Sequence, residues 1–240
     1  MTSHLLPATP AALAETVRVR LAEMADADAG ARMQAYMKSA MPFRGVPTKP
    51  LSALCRKVFG AGPLATESDW HDAVLDLWDG AGYREERYAA IALAGHRAYA
   101  DYRTPRALGI YHHLVVTGAW WDLVDSVAAP LVGPLLRTHP GEVAATVRRW
   151  AVDDDLWVRR TAILCQLNSR TATDTGLLRE CLSANLLGSR HGEEFFIRKA
   201  LGWALREHAK TDEAWVRAFV AEHDDELAPL TRREALKHLA

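Results

Sequence analysis

Arg160-Thr161-Ala162-Ile163 stands 38 residues before Arg198-Lys199-Ala200-Leu201, which stands 35 before Arg233-Glu234-Ala235-Leu236. Each quartet sets a basic residue two positions ahead of an alanine inside an apolar stretch of helical period. Further back, Arg87-Tyr88-Ala89-Ala90 lies 73 residues before Arg160, and Asp125-Ser126-Val127-Ala128 divides that interval into 38 and 35. A period of this size with two helices per unit is the mark of a HEAT-like solenoid. In such a stack each unit buries its apolar face only against its neighbours, and a concave binding surface results. The alanine is the expected position of close helix packing.

Outward from these quartets the chain reads as amphipathic helices broken by Pro and Gly signals. The expected helices cover 10–25, 29–40, 48–59, 69–79, 84–99, 104–116, 120–136, 141–151, 156–168, 174–185, 193–209, 212–223 and 229–239. Met41-Pro42-Phe43-Arg44-Gly45-Val46-Pro47 is the clearest non-helical break. Connections are short, no Ser/Gly linker occurs, and alternation of strand type is nearly absent. The expected class is therefore all-α, with residues 1–240 as one domain.

Composition narrows the function classes. With 49% hydrophobic and 25% charged residues the chain is an ordinary globular protein rather than a disordered one. Cys55, Cys165 and Cys181 are widely spaced and odd in number, which argues against a disulfide framework or a zinc site and for a reducing, cytoplasmic setting. No signal-peptide pattern or membrane-spanning run is read, so neither export nor membrane insertion is expected. A net charge of −1 is not that of a strongly basic nucleic-acid binder, but from Arg137 to Lys210 there are 12 Lys+Arg against 9 Asp+Glu. That balance permits DNA binding without predicting it.

Trp120-Trp121-Asp122-Leu123-Val124-Asp125 carries the candidate chemistry. Trp121 and Asp125 are four apart, so on a helix they share a face one turn apart. An indole beside a carboxylate offers a flat, apolar, negative surface suited to a sugar ring developing positive charge. Four of the five register positions are arginine and the fifth is Asp125, which the repeat sets level with Arg160. Arginines in a groove suit phosphates; equally, they are ladder residues pairing with acids between repeats.

Five motifs in order resemble the DNA alkylation repair enzyme family, the HEAT-like-repeat DNA glycosylases often called AlkD-like. They are Tyr36-Met37-Lys38 with Phe43-Arg44-Gly45-Val46; Trp120 to Ser126; Trp157-Val158-Arg159-Arg160-Thr161-Ala162-Ile163-Leu164; Glu194 to Trp203; and Leu227-Ala228-Pro229-Leu230 leading into Arg233 to His238. The resemblance implies hydrolysis of the N-glycosidic bond of cationic alkylated purines (3-methyladenine, 7-methylguanine) in double-stranded DNA, without metal or organic cofactor. It places catalysis on Asp125, Trp121 and Trp203, and DNA contacts on Arg160, Tyr36, Arg159, Lys38, Thr48 and Arg198. Arg160 rather than Arg159 is the phosphate anchor level with Asp125, with Arg159 its structural partner. The concave surface becomes a DNA-binding cleft, on a monomeric cytoplasmic protein that is nucleoid-associated when on DNA. Pro47-Thr48-Lys49-Pro50-Leu51-Ser52 departs from a stretch richer in basic and amide residues in relatives. The alternative reading is a non-catalytic HEAT-repeat scaffold for DNA or protein.

Other motifs have plainer readings. Asp153-Asp154-Asp155 precedes the Trp157 helix and reads as a cap rather than a metal site. His112-His113 lack a partner at ligand spacing, and no Gly-rich phosphate loop occurs.

Overall fold

The computed structural model describes residues 9–239, which form fourteen α-helices and no β-strand. The fold divides into two compact units at Thr104/Pro105. The N-terminal unit holds α1 (Pro10–Glu23), α2 (Ala27–Met37), α3 (Thr48–Gly60), α4 (Glu67–Asp79) and α5 (Arg84–Ala94). The C-terminal unit holds α6 (Leu108–Gly118), α7 (Trp121–Val127), α8 (Gly133–Thr138), α9 (Pro140–Ala151), α10 (Leu156–Leu164), α11 (Thr175–Ser183), α12 (Phe195–Ala209), α13 (Glu213–Glu222) and α14 (Pro229–Ala235). Among the described residues no helix is long and apolar enough to cross a membrane.

Helix starts follow local chemistry. Thr9, Asp26, Thr66, Asp155, Asp174 and Asp212 each accept a hydrogen bond from an amide of the first turn they precede, which satisfies donors that have no partner within the helix. Asp155 does so twice, from the Trp157 and Val158 amides at 2.7 and 3.1 Å. The expected capping role of the acidic triplet is thereby met.

In the N-terminal unit α1 lays Leu13, Ala14, Val17 and Leu21, all fully buried, against α3, α4 and α5. The break at 41–47 is held by a buried carboxylate. Glu85, with no exposed surface, accepts the amides of Arg44 (2.9 Å), Gly45 (2.9 Å) and Val46 (3.1 Å). Gly45 sits at φ +86°, where its amide can join this nest and a side chain would collide with the Asp26 carbonyl. The Phe43–Val46 motif is thus an anchored turn that delivers the chain into α3.

In the C-terminal unit the register helices pack in succession: α7 on α10, α10 on α12, α12 on α14. α9, α11 and α13 pair with them, α9 and α11 on α10 and α13 on α12. The alanines of the repeat, Ala162, Ala200 and Ala235, are all buried, as is Ala89 on α5 of the other unit. This is the two-helix repeat expected from the sequence.

Several stretches differ from the expected boundaries: 229–239 is helical to Ala235, the helix expected at 104–116 spans Leu108–Gly118, and three more have local causes. The helix at 84–99 stops at Ala94, where the Gly95 amide closes onto the last carbonyls, and a 3-10 turn follows at Arg97–Tyr102. The helix at 156–168 ends at Leu164 in tight turns. The stretch 120–136 splits into α7 and α8 around a π turn, Ala128–Val132. Pro130 explains the widening, because it has no amide to offer the Ser126 carbonyl and its ring crowds that turn.

The π turn brings α8 close to α10. A Cβ placed on Gly133 would stand 2.5 Å from the Cys165 carbonyl, whereas one on Gly109 of α6 would meet nothing within 4 Å. Gly133→Ala is therefore expected to cost about 1–3 kcal/mol through overpacking, and Gly109→Ala to add about 0.4–1 kcal/mol. Thermal melts of the two variants check this, and equal melting temperatures would show that α8 and α10 are not in close contact.

Candidate active site

α7 begins at an extended Trp120 (φ −152°, ψ 144°) after a left-handed Ala119 (φ 41°). Trp121 is its first residue and Asp125 stands one turn later, so the shared face expected from their spacing exists. Both are partly buried. One helix over, α10 presents Arg160 to the same carboxylate. Its Nε and Nη2 donate to Oδ1 and Oδ2 of Asp125, each at 2.8 Å, a forked pair. Nη1 donates to the Phe196 carbonyl in the first turn of α12 at 2.5 Å. One guanidinium thus ties together α7, α10 and α12.

Exposure distinguishes the partners. The Asp125 side chain keeps 14% of its surface and that of Arg160 keeps 5%. The acid is thus the more accessible member of the pair. Burial raises the Asp125 pKa above the usual carboxylate range; the hydrogen bonds and charge of Arg160 oppose this and the nearby Asp122 reinforces it.

Aromatic rings wall this pair. Trp120, Trp157 and Phe196 form a triangle with centroids 5.0 to 6.1 Å apart, and Phe195, exposed, stands edge-on to Phe196 at 5.4 Å. The Arg160 guanidinium lies 5.9 Å from the centre of the Phe196 ring. Sequence reasoning quoted Phe196 within a motif but gave it no role; its contribution is chiefly a backbone carbonyl, which no residue type announces. Trp203 is two turns further along α12 on the same face as Phe196, half-buried against the core.

The expected DNA contacts separate into two groups. Arg160, expected to hold a phosphate, has its guanidinium turned inward onto Asp125 and Phe196, so that expectation is corrected: the pairing with Asp125 supplants it. Arg159, also expected at the DNA, is buried and donates to the carbonyls of Asp153, Val152 and Ala184 and to Asn185. It staples the entry to α10 onto the end of α11, which matches the structural role expected of it and not a DNA contact. Arg198 on α12 is half-buried, and its side chain has no hydrogen bond or ion pair among the described residues. In the N-terminal unit Tyr36 is 79% exposed, while Lys38, at the left-handed end of α2, and Thr48, opening α3, are exposed. Tyr36, Lys38 and Thr48 are thus on accessible surface, and Arg198 is only partly so.

Among the described residues no group of three or more His, Cys, Asp or Glu is arranged to hold a metal ion. Asp154 pairs with Arg190 and Asp153 accepts the Asp155 amide, so two of the three aspartates at 153–155 are engaged locally besides the cap.

Comparison with known proteins adds a family. The model of a family described as DNA alkylation repair enzyme matches residues 17–239. Among solved structures the chain is similar to a predicted DNA alkylation repair enzyme from Enterococcus faecalis, at 29% identity, a TM-score of 0.74 and coverage of 90% of this chain and 97% of that one. No curated protein is a significant match.

A largely buried pair has a measurable signature. Removing only the carboxylate, in Asp125→Ala, leaves a buried guanidinium uncompensated and is expected to cost about 3–5 kcal/mol. The double variant Asp125→Ala, Arg160→Met is expected to lose much less than the two single losses together. Urea unfolding of the four proteins gives the coupling, and strict additivity would mean that the pair is not formed.

Proposed function

Since the chain belongs to the DNA alkylation repair enzyme family, we propose that it is a DNA glycosylase that hydrolyses the N-glycosidic bond of cationic alkylated purines, 3-methyladenine and 7-methylguanine, in duplex DNA. The observation that carries this reading is the Asp125 carboxylate, oriented by the forked pair with Arg160 yet not fully buried, with the Trp121 indole one turn away.

Alkylation at N3 of adenine or N7 of guanine leaves the base positively charged. When the C1′–N9 bond breaks, its electron pair moves into the base, which departs neutral, and no acid is needed to protonate it. Positive charge then develops on the sugar at C1′ and its ring oxygen. A carboxylate held in place beforehand stabilises that charge without reorganising during the reaction. Water adds to C1′ and gives up a proton, for which Asp125 is the acceptor. Arg160 acts as a positioning residue, and Phe196 in turn fixes Arg160 through its carbonyl. The π faces of Trp121 and Trp203 favour a partly cationic ring.

Lys38, Thr48 and Tyr36, which are exposed, and Arg198, which is half-buried but has no side-chain partner, are the proposed duplex contacts, and the two inward arginines are not. The same site makes a neutral lesion a poor substrate, because its base leaves as an anion that no group described here stabilises.

The alternative, a non-catalytic helical-repeat scaffold, draws on one observation: a carboxylate bonded at both oxygens to an arginine is also what a purely structural ion pair looks like.

Excision from a duplex with a single 7-methylguanine separates the two. The wild type is expected to release the base, and Asp125→Asn to be slower by at least about 100-fold while still binding duplex. No release by the wild type from either 7-methylguanine or 3-methyladenine would leave the scaffold reading. The acid side of the rate profile tests the role of Arg160. Asp125 works ionised, so the rate falls as pH drops through its raised pKa, above the ordinary carboxylate range. Arg160→Gln removes the opposing pull and is expected to move that limb to higher pH; an unmoved limb would show that Arg160 does not tune Asp125.

A further inference from the structure

The C-terminal unit contains a cavity of about 330 Å³ that the proposed chemistry does not use. It lies where the end of α10, the connection at 165–174 and the start of α11 face the last turns of α12. Ile163, Leu167, Leu178 and Ala204, all buried, give it an apolar floor. Its rim is polar, with Asn168, Arg170, Lys210 and Thr211 exposed.

His208 lines this space with only 7% of its surface exposed, and neither ring nitrogen has a hydrogen-bond partner. Its ring neighbour is Trp215, edge-on at 5.1 Å. An imidazole so buried normally finds partners for both nitrogens, because leaving them unmade is costly. Burial lowers its pKa, with Asp212 opposing, so the ring is neutral near pH 7 and offers one donor and one acceptor.

The facing wall is built rather than loose. The Gln166 side-chain amide donates to the Asp174 carbonyl (3.0 Å) and its oxygen accepts the Asp174 amide (2.8 Å), which fixes the ends of the connection. Within it Asn168 and Arg170 adopt φ of 64° and 51°, a conformation that side chains other than glycine rarely take. Charges at the mouth are not balanced. Lys210 is paired with Glu207 at 2.6 Å, whereas the Arg170 guanidinium makes no ion pair or side-chain hydrogen bond among the described residues.

From these features we propose that the cavity is a binding site for a small aromatic carboxylic acid, its carboxylate at Arg170, its ring on the Ile163–Leu178–Ala204 floor and a polar substituent on His208, whose ring turns one of its enclosed, unpartnered nitrogens toward the cavity. Floor, imidazole and guanidinium each account for one part of such a ligand, and the site is separate from the Asp125 pair.

The probes are 4-hydroxybenzoate, its uncharged counterpart 4-hydroxybenzamide, and benzoate, which lacks the hydroxyl. They are titrated into the full chain while the assigned ring signals of His208 are followed by NMR. The expected result is saturable movement of those signals by 4-hydroxybenzoate at millimolar concentration or below, with the amide and benzoate each weaker by about tenfold. Arg170→Ala, an exposed change that leaves the fold intact, is expected to weaken 4-hydroxybenzoate to the level of the amide. His208→Gln is expected to remove the advantage of the hydroxyl; if that variant does not fold, the benzoate comparison on the wild type decides the point. Unmoved His208 signals, or equal affinity for acid and amide, would overturn the proposal.

Discussion

Arg160 is the pivot of the C-terminal unit. A guanidinium with so little exposure must have its donors met inside the protein, and here they are met by the two elements that flank α10: Asp125 on α7 and the Phe196 carbonyl on α12. Burying two charges is expensive unless the geometry is close to ideal. The arrangement therefore holds only if α7 and α12 sit where Arg160 can reach both. Small residues permit close approach: Ala162 on α10 and Ala200 on α12 are buried on two helices that pack together, and Gly133 lets α8 come up to the Cys165 carbonyl at the end of α10. The consequence for chemistry is a carboxylate whose orientation is set before any substrate arrives.

The N-terminal unit applies the same device to a loop. Glu85 is as inaccessible as Arg160 and is satisfied by three consecutive amides at 44–46. Glu86 beside it accepts Arg44 at 3.0 Å, so the turn is clamped from both its backbone and its side chain. The acids of the Tyr83–Glu86 segment therefore shape the surface leading into α3. The exposed Thr48 and Lys49 that follow are presented by a rigid base, not by a mobile loop.

Much of this was legible in the chain. The helices, the two-helix period and the buried alanines follow from apolar spacing and from one recurring Arg-x-Ala pattern, because those features report local geometry and close packing. Trp121 and Asp125 on one face follow from a four-residue spacing alone. The direction in which each arginine points was not legible. Arg159, Arg160 and Arg198 carry the same side chain, and whether it turns inward depends on what the neighbouring helix offers: Asp125 for Arg160, a cluster of carbonyls for Arg159, nothing for Arg198. The Phe196 carbonyl and the Glu85 nest escaped for a related reason, since backbone groups leave no trace in residue identity. The helix expected at 120–136 runs through Pro130, and the π turn that Pro130 produces requires the chain to remain helical on both sides, which only tertiary packing secures.

The account rests on Asp125 stabilising positive charge at the sugar, and a stable mimic of that charge tests it without turnover. The measurement is the affinity of the protein for two duplexes that differ at one abasic position, a cationic pyrrolidine ring against a neutral tetrahydrofuran ring. Tighter binding of the cationic duplex by about tenfold or more is predicted for the wild type, with the preference lost in Asp125→Asn. Equal affinity for the two duplexes, or a preference that survives in Asp125→Asn, would contradict the claim that this carboxylate is aimed at a developing sugar cation.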